Sequence, residues 1–371
     1  MLDILALGAF ASTMVVWVAY PAVMVLGSRL RIRPPSTSPA VRLRSVAVVI
    51  ASRDPAEAIA ARVDNCLDTA LALPLEIIVA IDREGFEVKR AALERLAPRA
   101  HVVAADAEGG KAAGLNAGVR ASTGDVLVFT DTYQRFDRST IPALLAMLAD
   151  ASVGAVSGAL VLPPQTPPLA RAYWTYERRL RQAEAGVHST VGVTGAVCAM
   201  RRSLWQPLPA GLLLDDVYIP MRIVLGGSRV AFTPAAFAFE TRTPEPAQEY
   251  RRKVRTLTGV FQLCAWLPAV LLPWRNPIWF QFLFHKLLRL VTPYWLLVVG
   301  LWMVVAAGRI LGPWVLVAIV ALAVSAGWLW RTRSALGARL RTIASEAVLM
   351  QIAPVKAGWY GLRGRWRVWD G

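Results

Sequence analysis

Two carboxylates stand side by side in Leu212-Leu-Leu-Asp215-Asp216-Val-Tyr218, directly after an apolar run. Neighbouring acids disfavour each other's ionisation, which raises a pKa and suits one of them to act as a general base. Two solvated acids at a helix start are the competing explanation. Another acid, Asp131, ends the run Val126-Leu-Val-Phe-Thr130. Bounded by Gly124-Asp125, that run reads as a buried strand of a parallel sheet. Open α/β sheets bind ligands at such strand ends, where an acid can hold a metal, a phosphate-bound metal or a ribose hydroxyl. A turn residue or helix cap would look the same. Asp82 ends a second apolar strand, and Arg53-Asp54-Pro55-Ala56-Glu57 follows a third. Acids ending several adjacent strands converge on one crevice, a geometry that suits a nucleotide's base and ribose hydroxyls.

Two basic stretches could meet phosphate. Gly109-Gly110-Lys111-Ala-Ala-Gly114-Leu-Asn116 opens a helix, with glycines for close backbone approach and Lys111 as the cation. Its spacing fits neither a P-loop nor a dinucleotide fingerprint, and a glycine-rich turn with a solvated lysine remains open. Gln248-Glu-Tyr250-Arg251-Arg252-Lys253-Val-Arg255 could hold a pyrophosphate leaving group or touch anionic headgroups.

Strand–helix alternation must position these residues. Strands are expected at 46–50, 75–81, 101–105 and 126–130, with helices at 56–72, 85–97 and 111–121, which means βαβ units and a parallel sheet. The chain around them is unusually apolar: 56% of its 371 residues are hydrophobic and its mean hydropathy is +0.45, against a formal charge of +16. Apolar runs flanked by Lys and Arg imply a membrane protein with basic cytoplasmic flanks rather than a nucleic-acid binder. Cys66, Cys198 and Cys264 are scattered and support neither a disulfide framework nor a zinc site.

Residues 1–28 are long and apolar enough to span a bilayer, and the arginines of the basic linker 29–45 place the N-terminus outside. A cytoplasmic domain is expected over 46–258. Residues 259–290 read as interfacial helices, 291–331 as a transmembrane hairpin, and 332–371 as a basic loop with an interfacial or re-entrant segment, leaving the C-terminus cytoplasmic.

In this order and spacing the motifs resemble the membrane-embedded family-2 inverting glycosyltransferases, the group holding cellulose, chitin and hyaluronan synthases and ceramide glucosyltransferases. The resemblance covers 46 to about 290 with the flanking spans. It implies a nucleotide-sugar-binding, Rossmann-like GT-A-type α/β domain with transmembrane and interfacial helices. Asp54 stands where the family's first-strand turn has Asn, and Arg53 belongs to that donor-side turn. Asp82 matches the uracil-binding acid, Lys111 and Asn116 the diphosphate region, Gly195 in Val193-Thr-Gly195 the acceptor-side turn, and Asp216 of the Asp215-Asp216 pair the base.

Two departures bear on mechanism. The metal motif falls on Asp131-Thr132-Tyr133, so Asp131 alone would hold Mg²⁺ or Mn²⁺ and Tyr133 replaces the second acid. The Gln-x-x-Arg-Trp signature falls on Gln248–Arg252 or Arg252–Thr256, without its tryptophan. The resemblance implies transfer from a UDP-sugar to a lipid, lipid-linked glycan or polysaccharide acceptor at the inner face of the cell membrane, with Lys111 and Arg255 neutralising the leaving group. A processive synthase, alone or as a homo-oligomer, and an inactive scaffold among other polysaccharide-assembly subunits are the alternatives.

Overall fold

The computed structural model describes residues 1–30, 40–84, 86–96, 98–105, 110–242, 246–312, 314–331 and 335–366. The linker Pro34–Pro39, Gly109, Arg333 and Arg367 lie outside the described residues. The described strands form one mixed sheet: β1 (Val46–Ser52), β2 (Leu75–Ile81), β3 (His101–Ala104), β4 (Val126–Thr130), β5 (Gln134–Phe136), β6 (Val153–Val161), β7 (Cys198–Arg201) and β8 (Arg229–Glu240). Their spatial order is β3-β2-β1-β4-β7-β6-β8-β5. Strands β1 to β4 pair in parallel as expected. The expectation of a purely parallel sheet fails beyond β4, because β7 runs antiparallel to both β4 and β6, and β5 antiparallel to β8. All three pairings are long-range, so local alternation of strand and helix could not reveal them.

Alternation along β1 shows why the sheet is buried on both faces. Val46, Val48 and Ile50 pack with Ile59 and Val63 of the helix Ala56–Leu67 on one side. Ala47 and Val49 pack with Leu115 and Val119 of the helix Gly110–Ala121 on the other. Gly124 permits the tight entry to β4: a Cβ there would lie 2.5 Å from Ala47 N and 2.8 Å from Val46 C. Both contacts are backbone, which cannot swing aside. Gly124→Ala should therefore cost about 1–3 kcal/mol, read as a lower thermal unfolding midpoint of the detergent-solubilised protein.

The apolar helices differ from expectation in one respect. Leu2–Arg29 is helical throughout and exposes Leu5, Leu7, Phe10 and Val18. The stretch 276–290, read as an interfacial helix of its own, instead begins a continuous helix, Trp279–Leu311. Its Phe282 and His285 are buried against protein. Two of the ionisable residues that suggested an interfacial location have partners: His285 lies between Glu177 and Glu184, at 3.0 and 2.7 Å, and Arg289 pairs with Glu177. Tyr20 of the first helix also bonds Glu184, which ties both apolar helices to the helix Pro168–Val187. The helix Trp314–Arg331 follows, and Ala335–Leu362 runs unbroken alongside Pro246–Trp266, with Ala353 and Ala357 fully buried.

Candidate active site

The crevice forms at the carboxyl ends of β1, β2 and β4, which lie side by side in register: Ser52 opposite Ile81, Ile50 opposite Thr130. Asp82, just past β2, meets Lys89 Nζ at 2.8 Å, and the same ammonium donates to the Arg53 carbonyl at 2.9 Å. Asp54 accepts from Ser52 Oγ at 3.1 Å, and Thr132 Oγ1 donates to Ser52 Oγ at 2.7 Å. Side chains beyond three adjacent strands are thus knitted into one rim.

Beneath β4 lies Arg62, with no exposed surface. It donates to Thr130 Oγ1 at 2.7 Å, packs 4.0 Å from the centre of the Phe136 ring and bonds Asn65. Nothing in its own sequence neighbourhood marks Arg62 as a support for the strand end; Lys89 is equally invisible.

At the centre Lys111 Nζ stands 2.7 Å from Asp131 and 3.7 Å from Asp215. Burial works against its charge, but the Asp131 and Asp215 carboxylates outweigh this and hold the ammonium above its ordinary pKa. Asp131 moves the opposite way: burial would raise it, and Lys111, with Arg252 and Arg255 beyond, brings it below the usual carboxylate value. Arg252 and Arg255 lie on the helix Pro246–Trp266, and their charges act on Asp131 in the same direction as Lys111. Gly195 faces the same point: a Cβ there would sit 3.6 Å from Asp216 Cβ and 3.7 Å from Lys111 Nζ.

Asp215 and Asp216 open the helix Asp215–Leu225. The preceding loop is fixed by Gln262, whose side chain accepts from Leu213 N at 2.8 Å and donates to the Gly211 carbonyl at 3.0 Å. Gly259 lets that helix approach, since a Cβ would fall 2.7 Å from Leu214 Cβ. Burial, then the neighbouring Asp215 charge, push Asp216 above the ordinary carboxylate value. Its Oδ1 is buried and has no hydrogen-bond partner among the described residues. A pocket opens there, lined by Lys111, Thr130, Gly195, Asp215, Asp216 and Ile219 among others.

One expected donor residue lies elsewhere in role. Asn116 spends its amide on Leu208, donating to the carbonyl and accepting from the N–H, both at 2.8 Å, so it braces a loop. For a metal the donors are few. Tyr133, in the second acid's place, stacks under Arg242 at 3.7 Å, and Asp131 is already paired with Lys111. Among the described residues no three His, Cys, Asp or Glu side chains gather as a metal group. The residues present do not fit a resident divalent ion.

Comparison with solved structures gives the same fold. The mannosyltransferase PcManGT from Pyrobaculum calidifontis, solved with GDP-Man and Mn²⁺, aligns at a TM-score of 0.69 and 21% identity, covering 96% of this chain and 99% of that one. Glucosyl-3-phosphoglycerate synthase from Mycobacterium tuberculosis aligns at 0.43 and 15%, covering 60% and 80%. No curated protein matches the chain. The mixed sheet with its strand-end crevice is a GT-A-like fold. The family model described as glycosyltransferase like family 2 matches residues 44–259, more than half of the sequence and the whole of this crevice, and the chain belongs to that family.

Proposed function

We propose that this glycosyltransferase moves a sugar, with inversion, from a nucleotide-sugar donor to an acceptor hydroxyl at the cytoplasmic face of a membrane. The observation that carries the reading is Asp216: a buried, unpartnered carboxylate oxygen facing a pocket it shares with Lys111 and Gly195. A base needs an open lone pair at the place where a proton will arrive. The donor, UDP-linked in this reading, lies across the strand ends, with Arg53, Asp54 and Asp82 toward the base and Asp131 toward the diphosphate. Lys111, with Arg252 and Arg255, neutralises charge on the departing nucleotide. Asp216 takes the acceptor's proton as its oxygen bonds to the anomeric carbon and the bond to the diphosphate breaks from the opposite face.

The membrane-embedded cellulose, chitin and hyaluronan synthases and ceramide glucosyltransferases are the relatives we favour. The missing tryptophan of the processive signature supports single additions. Two helices, Leu2–Arg29 and Trp279–Leu311, are long and apolar enough to cross a bilayer and pack along one another. Their outward apolar side chains support an anchored enzyme. In this reading the N-terminus lies outside, Trp314–Arg331 returns the chain, and the catalytic domain within 46–258 and the C-terminus are cytoplasmic.

The test is nucleoside diphosphate release by purified protein from a panel of UDP- and GDP-sugars, GDP-mannose included because the Pyrobaculum enzyme was solved with it. Release from one donor, accompanied by sugar transfer, is expected. Absence of both binding and release across the panel would refute the reading.

A further inference from the structure

Beside the base, toward the apolar helices, lies a second pocket that the donor does not use. It is bounded by Gly158 and Leu160 of β6, by Thr194, and by one face of the helix Pro168–Val187. Trp174, Glu177, Arg178 and Arg181 share that face, spaced by three and four residues so that one stripe of the helix looks into the pocket. Arg181 donates to Thr194 Oγ1 at 3.0 Å, while its Nε is buried without a partner. Arg178 pairs with no carboxylate among the described residues. The one acid on the stripe, Glu177, is already neutralised by His285 and Arg289.

Arg178 and Arg181 thus face a partly enclosed space next to the base, and the one acid lining that space is held by the apolar helix opposite. Like charges gathered out of bulk water repel, and an arrangement of this kind becomes favourable when an anion fills it. The position also says what carries the anion. The helix that bears the stripe packs Leu180 and Ala183 against Tyr20 and Met24 of the first apolar helix. The pocket also borders the second apolar helix directly, because its Glu177 pairs with His285 and Arg289.

We infer that the acceptor is a phosphate-bearing lipid: its phosphate is held by Arg178 and Arg181, and a hydroxyl of its headgroup is presented to Asp216. The inference rests on the transferase reading above. In the transfer step the headgroup oxygen bonds to the donor's anomeric carbon, the carbon–diphosphate bond breaks, the proton passes to Asp216, and nucleoside diphosphate leaves. The acceptor's phosphate is not broken.

The experiment uses the full chain in detergent with the donor that releases nucleoside diphosphate. Four acceptors are compared: phosphatidylinositol, a polyprenyl-diphosphate-linked sugar, an alkyl glucoside of similar chain length, and soluble glycerophosphoinositol. At least one phosphate-bearing lipid should exceed the alkyl glucoside in kcat/KM by on the order of tenfold to a hundredfold. Arg178→Gln should collapse that preference and Arg178→Lys should retain part of it, while donor binding confirms that each variant is folded. Equal use of the alkyl glucoside would overturn the proposal, and glycerophosphoinositol matching the lipids would overturn its lipid half. A donor-free arm separates this from failure of the transferase reading. A photoreactive alkyl phosphate should crosslink within 174–181 where the matching alkyl glucoside does not, and equal labelling by the two would count against the pocket even if transfer were never seen.

Discussion

Asp216→Asn should lower kcat by on the order of 10²–10⁴, the usual contribution of a positioned general base, while donor affinity stays close to that of the wild type. Asparagine keeps the shape and removes the lone-pair basicity, so the loss falls on the chemical step. Asp215 is the alternative base, and the geometry separates the two. Asp215 faces the Lys111 ammonium at 3.7 Å, whereas Asp216 has an Oδ1 with no partner. Asp215→Asn should therefore leave substantial turnover. If the two variants exchanged these outcomes, the base would be Asp215.

The pH profile gives an independent check. Burial and then the Asp215 charge raise Asp216. Below its pKa the carboxyl already carries a proton and cannot accept another, so kcat/KM should fall on the acid side with a midpoint above the ordinary carboxylate value. Removing one cause should move that midpoint. Asp215→Asn deletes the neighbouring negative charge, which makes ionisation of Asp216 easier and shifts the acid limb to lower pH. An unmoved midpoint would mean that some other group sets the limb.

How far the sequence could have led to this site is instructive at particular residues. Asp82, Asp131 and the Asp215-Asp216 pair were legible because each interrupts an apolar run, and a buried strand that stops at an acid shows where its carboxyl end lies. Lys111 was legible as a cation at a helix start. The pairings were not. Lys111 joins Asp131 and Asp215 across 20 and 104 positions, and only the assembled sheet shows that Asp216 is the acid left open. Asn116 carried the right residue type in the right motif but turns to Leu208, a loop that no local pattern connects to it.

The same physics explains the apolar helix. His285, Lys286 and Arg289 make 279–290 look like a surface segment, since charges in an apolar helix ordinarily seek water. The acids that hold His285 and Arg289, Glu177 and Glu184, sit about a hundred residues earlier, on a helix that reads as merely amphipathic. The face of that helix holding Trp174, Arg178 and Arg181 was present in the sequence at helical spacing. Its meaning depended on which neighbours it met.

Turnover by the wild-type enzyme should persist in EDTA, and Lys111→Ala should lose on the order of 10²–10³ in kcat, the scale of removing one preorganised charge from a transition state. The reason is that Lys111 already balances Asp131, the one acid of the metal motif that this chain keeps. Its ammonium is 2.7 Å from Asp131, and Tyr133, stacked under Arg242, offers no second carboxylate. A fixed ammonium can balance a departing diphosphate without an ion being recruited. Removing it takes the ammonium from beside Asp131 and Asp215 and withdraws a charge that lowers Asp216, so Asp216 should rise further. EDTA-abolished turnover of the wild type, restored by Mn²⁺, would show that Asp131 binds metal with the diphosphate and that Lys111 yields its place on substrate binding.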